Sequence, residues 1–265
     1  MTRRRVSSVR TMVLRLLLPI LCMATIASSA CPDVPAEDLF PCFCFHDTSD
    51  LICRGGEGRH IDDSTLTRIM DIIRQSSNTT MGKLTMSQTE VSNITDKTFA
   101  GIQFAEIVIR FNDKLRLVHE DAFAFTKDYT RNFSFGEISS PYEAQNMQPI
   151  DLSFLKGFTR LVNLFISGIS IGSMDRSVFL PYVKQSSASD SPLPRIRFYF
   201  LGLLMDCGCQ NQWLFGNEVS RWERRYFLSG SLSAAVPLLT CRSHKLSGLM
   251  IPLRSLSPAD FKHCS

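Results

Sequence analysis

Apolar residues in the middle of this chain recur by rule. Counting from Leu84, apolar or hydrogen-bonding residues follow at Met86, Thr89, Val91, Ile94 and Phe99. Counting from Leu164, the same offsets give Ile166, Ile169, Ile171, Met174 and Phe179. From Ile107 they give Ile109 and Asn112 and then, after one extra residue, Leu115, Val118 and Phe123. A degenerate fourth unit opens at Phe133 and Phe135, and a fifth runs Phe198, Phe200, Leu203 and Met205 straight into Cys207. Each apolar–x–apolar opening predicts a short strand that buries alternate side chains. The chain then turns, and the later aliphatic and phenylalanine residues return along the outer side to fill the same core. One such unit cannot bury its own edge, whereas stacked units can, so the pattern predicts an α/β stack with about five parallel strands.

The stack is expected to be irregular. Unit starts lie 23, 26, 31 and 34 residues apart, so insertions grow toward the C-terminus. Only Asn112 stands at the turn position with an amide able to bond a neighbouring turn; Thr89 can substitute for it, and Ile169 and Leu203 cannot. Residues 136–149 and 184–194 read as loops from their Ser, Pro and Gln content. Asp62 or Asp63 caps a predicted helix through Ile73, with Leu66, Ile69, Met70 and Ile73 on one face. A second helix, over 217–228, places Val219, Trp222 and Tyr226 on one side, suited to covering the last unit.

The ends change the picture. Residues 1–30 combine five arginines (Arg3, Arg4, Arg5, Arg10, Arg15), an apolar run from Leu16 to Ile26, and small residues Ser28 and Ala30 before Cys31. That is the pattern of a secretory signal peptide. A bacterial lipidation site at Cys31 is disfavoured by Ser28, where an aliphatic residue is needed. Without the leader, 24 Lys and Arg face 25 Asp and Glu, a net charge of about −1. The basicity of the whole chain is thus a targeting feature and not a nucleic-acid footprint. No second long apolar segment follows, so neither a membrane span nor a lipid anchor is expected. Eight cysteines remain in two clusters: Cys31, Cys42, Cys44 and Cys53 at one end, Cys207, Cys209, Cys241 and Cys264 at the other. An even count in a secreted chain reads as disulfides. Three N-glycosylation acceptors, Asn78-Thr-Thr, Asn93-Ile-Thr and Asn132-Phe-Ser, agree with that route.

Repeats and cysteines together resemble the extracellular leucine-rich-repeat proteins, whose pattern is L-x-L-x-x-N-x-L-x-x-I-x-x-x-x-F. The clusters C-x10-C-x-C-x8-C and C-x-C-x31-C-x22-C resemble their N- and C-terminal caps, with Trp213 and Leu214 at the usual aromatic junction. The expectation is therefore a short irregular leucine-rich-repeat solenoid: signal peptide 1–30, N-terminal cap 31–60, repeats 61–205 and C-terminal cap 206–265. Within that superfamily the chain looks like the arthropod non-catalytic subunits of Oplophorus-luciferin 2-monooxygenase. The likeness is carried by the opening Cys31-Pro-Asp with Pro41-Cys42-Phe-Cys44, the repeat Asn112 to Phe123, and the ending Ser257-Pro-Ala-Asp-Phe-Lys-His-Cys264. The resemblance implies the pairings Cys31–Cys44, Cys42–Cys53, Cys207–Cys241 and Cys209–Cys264. It also implies a secreted accessory protein whose partner is an extracellular protein, with catalysis residing in a separate subunit.

Candidate chemistry is sparse. His46, His60, His119, His244 and His263 form no zinc-protease or nucleophile signature. The C-x-C pairs have too short a spacing for the usual zinc sites. No cofactor, metal or catalytic residue is expected, and the preferred function is a non-catalytic protein-binding module. A glycan- or matrix-binding role is the runner-up, with Arg195, Arg197, Arg221, Arg224 and Arg225 as its cations. A charge cluster on a cap helix is nevertheless more often a solvated face. A catalytic ectodomain comes third. Phe165 and Tyr199 fall between inward residues of their strands and with Arg197 form the candidate contact site, although a one-residue register slip would turn both rings into core. A sugar on Asn132 would obstruct the middle of the same face and favour its C-terminal half.

Overall fold

Alternating burial along residues 80–201 organises a parallel sheet. A computed structural model describes residues 31–136, 148–187, 196–229, 239–242, 250–261 and 264. The expected signal peptide, most of the first expected loop, residues 188–194 of the second, Arg195, His244 and His263 lie outside the described residues.

The sheet has seven strands in the order β1 (Phe43–Phe45), β2 (Asp50–Arg54), β3 (Thr80–Ser87), β5 (Gln103–Arg110), β7 (Asn132–Gly136), β8 (Asn163–Ser167) and β9 (Arg197–Leu201). β1 pairs antiparallel with β2, and every later pairing is parallel. The five predicted unit starts form one column of the register: Leu84, Ile107, Phe133, Leu164 and Phe198. Leu51 of β2 extends it. The next inward column is Cys53, Met86, Ile109, Phe135, Ile166 and Phe200. All of these side chains are buried. A two-stranded parallel pair, β4 (Asn93–Ile94) with β6 (Leu117–Val118), lies outside the main sheet and buries Ile94 and Val118 in the same core.

At the N-terminal end, helix α1 (Ala36–Leu39) and the β1–β2 hairpin carry disulfides Cys31–Cys44 and Cys42–Cys53. Helix α2 (Asp63–Gln75) begins at Asp62, whose carboxylate accepts the Thr65 N–H at 2.8 Å, so of the two candidate caps it is Asp62 that caps. Asp63 turns instead to Ser92 and Asn93. Leu66, Ile69, Met70 and Ile73 are its buried face.

At the C-terminal end the readings need two corrections. Residues 184–187 do not begin a loop; they complete helix α3 (Arg176–Ser187). This helix is held by buried Val178, Phe179, Tyr182 and Val183, and it accommodates Pro181. Helix α4 starts at Arg221, not Asn217, and runs to Ser229. Its inward residues are Glu223, Phe227 and Leu228, while Trp222 is 50% exposed and stacks on Tyr226. Ser220 and Glu223 explain the later start: the Ser220 N–H donates to Glu223 and the Glu223 N–H to the Ser220 hydroxyl, a capping box. A small sheet of β10 (Leu203–Asp206), β11 (Leu239–Arg242) and β12 (Met250–Pro252) closes this end, with disulfides Cys207–Cys241 and Cys209–Cys264. The fold is thus mixed α/β, with a mostly parallel central sheet and disulfides near both termini.

Candidate functional site

A strand that buries every second residue presents the others outward, and here the outward residues align across the sheet. The central row reads Phe43, Ile52, Thr85, Val108, Ser134, Phe165 and Tyr199. Except for buried Ser134 and exposed Phe43, these residues are half-buried. The register therefore places Phe165 and Tyr199 on the open face, with ring centroids 6.2 Å apart.

Polar rows flank this one. On one side stand Asp50, Lys83, Glu106, Asn132, Asn163 and Arg197. Lys83 Nζ lies 2.7 Å from Glu106 Oε1, and Asn163 Nδ2 donates to Asn132 Oδ1 at 2.8 Å. Arg197 is exposed at the end of that row. On the other side stand Arg54, Ser87 and Arg110, followed by Gly136. With no side chain at Gly136 to block it, Arg110 reaches across: Nε and Nη2 donate to Ser134 Oγ at 3.0 and 2.7 Å, and the guanidinium sits 5.0 Å from the Phe165 centroid. Arg54 Nε donates to Gln88 Oε1 at 3.2 Å.

An open depression of about 430 Å³ lies on the N-terminal half of this face, lined by Ile52, Arg54, Thr85, Ser87, Gln88, Val108, Arg110 and Phe111. The residues after β3, β5, β8 and β9 take a left-handed conformation. Gly168 and Gly202 do so after β8 and β9, at φ 57° and 63°. After β3 and β5 the residues are Gln88 and Phe111, at φ 54° and 56°. A side chain in that region costs about 1–2 kcal/mol that glycine does not incur. The strain places an amide and a 42% exposed aromatic ring at the lip of the depression.

The sequence reading missed Arg54, Arg110, Phe43, Ile52 and Phe111. Arg110 was legible, since it shares strand parity with Val108. Residues 43–54 were read for their cysteines and not as strands, and a left-handed turn at Phe111 leaves no periodic signal.

The acceptor asparagines sit apart. Asn132 lies on the open face. Asn93 is exposed on β4, its Nδ2 donating to Asp63 Oδ2 and Ser92 Oγ at 3.2 and 2.8 Å. Asn78 precedes β3, and its Oδ1 accepts the Thr80 N–H at 3.1 Å. Of the basic cluster, Arg224 is not available as a free cation: its Nε donates to the Leu214 carbonyl at 2.6 Å and its guanidinium covers the Phe215 ring.

Perturbed titratable groups have structural causes. Burial pushes the Tyr182 phenol far above its usual range, and its hydroxyl donates to the Leu155 carbonyl while accepting the Phe158 N–H. Burial raises the Asp63 carboxyl, but hydrogen bonds from Ser92 and Asn93 outweigh it and hold the group below its ordinary value. Hydrogen bonds from Lys114 and His60 lower Glu90. Among the described residues, no three His, Cys, Asp or Glu side chains gather so as to hold a metal ion, and no helix is long and apolar enough to cross a membrane. Comparison with protein-family models, curated proteins and solved structures finds no match for this chain.

Proposed function

We propose that this chain is a secreted, non-catalytic leucine-rich-repeat protein that binds another extracellular protein across the open face of its sheet. The carrying observation is the outward row itself: Phe43, Ile52, Val108, Phe165 and Tyr199, interrupted by Thr85 and the buried Ser134, lie between two polar margins on a sheet face that no described element covers. Aromatic residues and arginine are the side chains most enriched in protein interfaces. The repeat reading is supported by the single column of unit starts and by Asn112, whose buried amide accepts the Thr89 N–H and donates to the Met86 and Arg110 carbonyls. Secretion is supported by the leader pattern and by four disulfides, which persist in oxidising compartments. The resemblance adds a separate catalytic subunit as the kind of partner.

The test is affinity capture of the secreted chain from its source tissue, run beside Phe165→Ala and Tyr199→Ala. A partner retained by the native chain and lost by both variants is expected; retention by both overturns the face. The purified chain alone should turn over no substrate, a luciferin included. Retention on a heparin column that is abolished by Arg197→Ala and Arg221→Ala, with no protein partner captured, would favour the glycan-binding reading instead.

A further inference from the structure

We propose that the N-terminal half of the open face holds an acidic, apolar segment of a partner protein, seated between Arg54 and Arg110. The proposal rests on the protein-binding reading above and names the chemistry of the partner.

Charge is the first argument. The charged side chains lining the depression are both guanidiniums, Arg54 and Arg110, and no carboxylate lines it. The carboxylates of this face, Asp50 and Glu106, belong to the opposite margin, and Glu106 is already paired with Lys83. Arg54 is held through Gln88, and Arg110 through Ser134 and the Phe165 ring, which set its guanidinium on the far side of the floor from Arg54. A guanidinium held in this way is pre-organised for a carboxylate, since less side-chain freedom is lost when the new bonds form.

Shape and strain are the second. The floor between the arginines is Ile52, Thr85 and Val108, and the lip carries Phe111. A sulfated glycan would use the cations and leave this apolar floor unmatched; a peptide with carboxylates flanking a Leu, Phe or Tyr matches both. Later strands close the same turn with glycine, whereas here Gln88 and Phe111 are held in the left-handed region. Strained conformations of this kind cluster at ligand-holding sites. Gln88 orients Arg54, and Phe111 offers its ring to solvent beside Arg110.

The experiment is selection of a displayed random-peptide library on the full disulfide-bonded chain. Enriched peptides should carry Asp or Glu within two positions of Leu, Phe or Tyr. Their affinity should fall about tenfold or more in Arg54→Ala and in Arg110→Ala, the scale of losing one desolvated charge pair. Arg221→Ala, an exposed cation on α4, should leave it unchanged. Phe111→Gly should weaken binding while leaving the melting temperature unchanged or higher, because glycine relieves the turn; a merely structural Phe111 would show the reverse. Arg54 is exposed, so its variant keeps the test open even if Arg110→Ala fails to fold. A selection that enriches no peptide, enriches neutral or basic ones, or enriches acidic ones indifferent to both arginines overturns the proposal. So does displacement of the peptides by a heparin hexasaccharide that binds regardless of Phe111. Peptides lost only on Phe165→Ala or Tyr199→Ala would overturn this seat while leaving the protein-binding reading standing.

Discussion

Where β3 and β5 turn away from the sheet, a buried side-chain amide adds to backbone bonds such as that from the Gln88 N–H to the Phe111 carbonyl; where β8 and β9 turn, backbone bonds take the place of that amide. Asn112 Oδ1 accepts from the Thr89 N–H and hydroxyl at 3.0 and 2.7 Å, and its Nδ2 donates to the Met86 and Arg110 carbonyls. At the equivalent place after β8 stands Ile169, whose side chain is apolar, and the Leu204 N–H donates to its carbonyl at 3.0 Å while the Ile171 N–H donates to Leu204 at 2.8 Å. The cores differ in step. In β3 and β5 the columns are Leu, Ile and Met, and in β7 and β9 they are phenylalanine, with Leu164 and Ile166 of β8 between: Phe133 packs 5.4 Å from Phe158, Phe135 5.1 Å from Phe154, and Phe198 4.9 Å from Phe227. A turn can therefore lose its amide when the neighbouring backbone comes into bonding register, and a longer connection can be filled with aromatic volume.

Core substitutions test that difference most strongly. Phe133→Ala should cost about 3–5 kcal/mol, and Leu84→Ala, in the same column, should cost less, toward the lower end of about 2–5 kcal/mol. Urea unfolding measures both; equal losses would mean that the aromatic half is no more dependent on its large side chains.

Next comes the turn. Asn112→Leu strands the Thr89 N–H and two carbonyls, so a loss of about 2–4 kcal/mol is expected. Ile169→Leu should stay under about 1.5 kcal/mol. If the asparagine variant is as mild as the isoleucine one, the amide is not what holds the N-terminal turns.

Acid should separate the halves by a smaller margin. Backbone and side-chain hydrogen bonds from Thr65 and Ser64 lower Asp62 to about 2, and Asp63 and Glu90 are also held below their ordinary values. In the C-terminal half, Asp175 is lowered by its hydrogen bond from Ser177. A carboxyl depressed in the folded state stabilises above its unfolded value of about 4 and loses that contribution as pH falls through the folded one. Amide-exchange protection should thus decline first around α2 and β4 between about pH 4 and pH 2. Asp63→Asn should remove about 1 kcal/mol at neutral pH, allowing for solvent screening, and flatten the acid limb. An unchanged limb would place the acid sensitivity elsewhere.

The smallest stability effect is expected on the open face. Tyr199→Ala should change unfolding free energy by about 1 kcal/mol or less, since the side chain is only half-buried. A larger loss would mark the ring as part of the fold and weaken its standing as a contact residue.

Much of this was readable in residue order. The spacing from Leu84 to Phe99 named the inward residues of three units, the parity of β8 and β9 put Phe165 and Tyr199 outward, and Asn112 was identifiable as the turn amide. Asp62 and Asp63 were indistinguishable as caps, because either carboxylate can reach a third-residue N–H; the Ser92 and Asn93 donors decided between them. The helix over 217–228 was placed four residues early because apolar spacing alone carries no start signal when the capping pair, Ser220 and Glu223, is overlooked.

Burial periodicity is a local property: a residue's parity in a strand is set by its neighbours in sequence, so the sequence by itself determined the inward columns, the order of the units and the two cysteine-rich ends. The meeting of side chains from different units is not local. That Arg110 covers Phe165, that Lys83 finds Glu106, and that Phe43 and Ile52 extend the outward row all depend on register between segments far apart in the chain. Outward residues carry no hydrophobic period to announce that register. Only the tertiary structure decided it, through the packing of the columns beneath and the backbone bonds that hold adjacent strands in step.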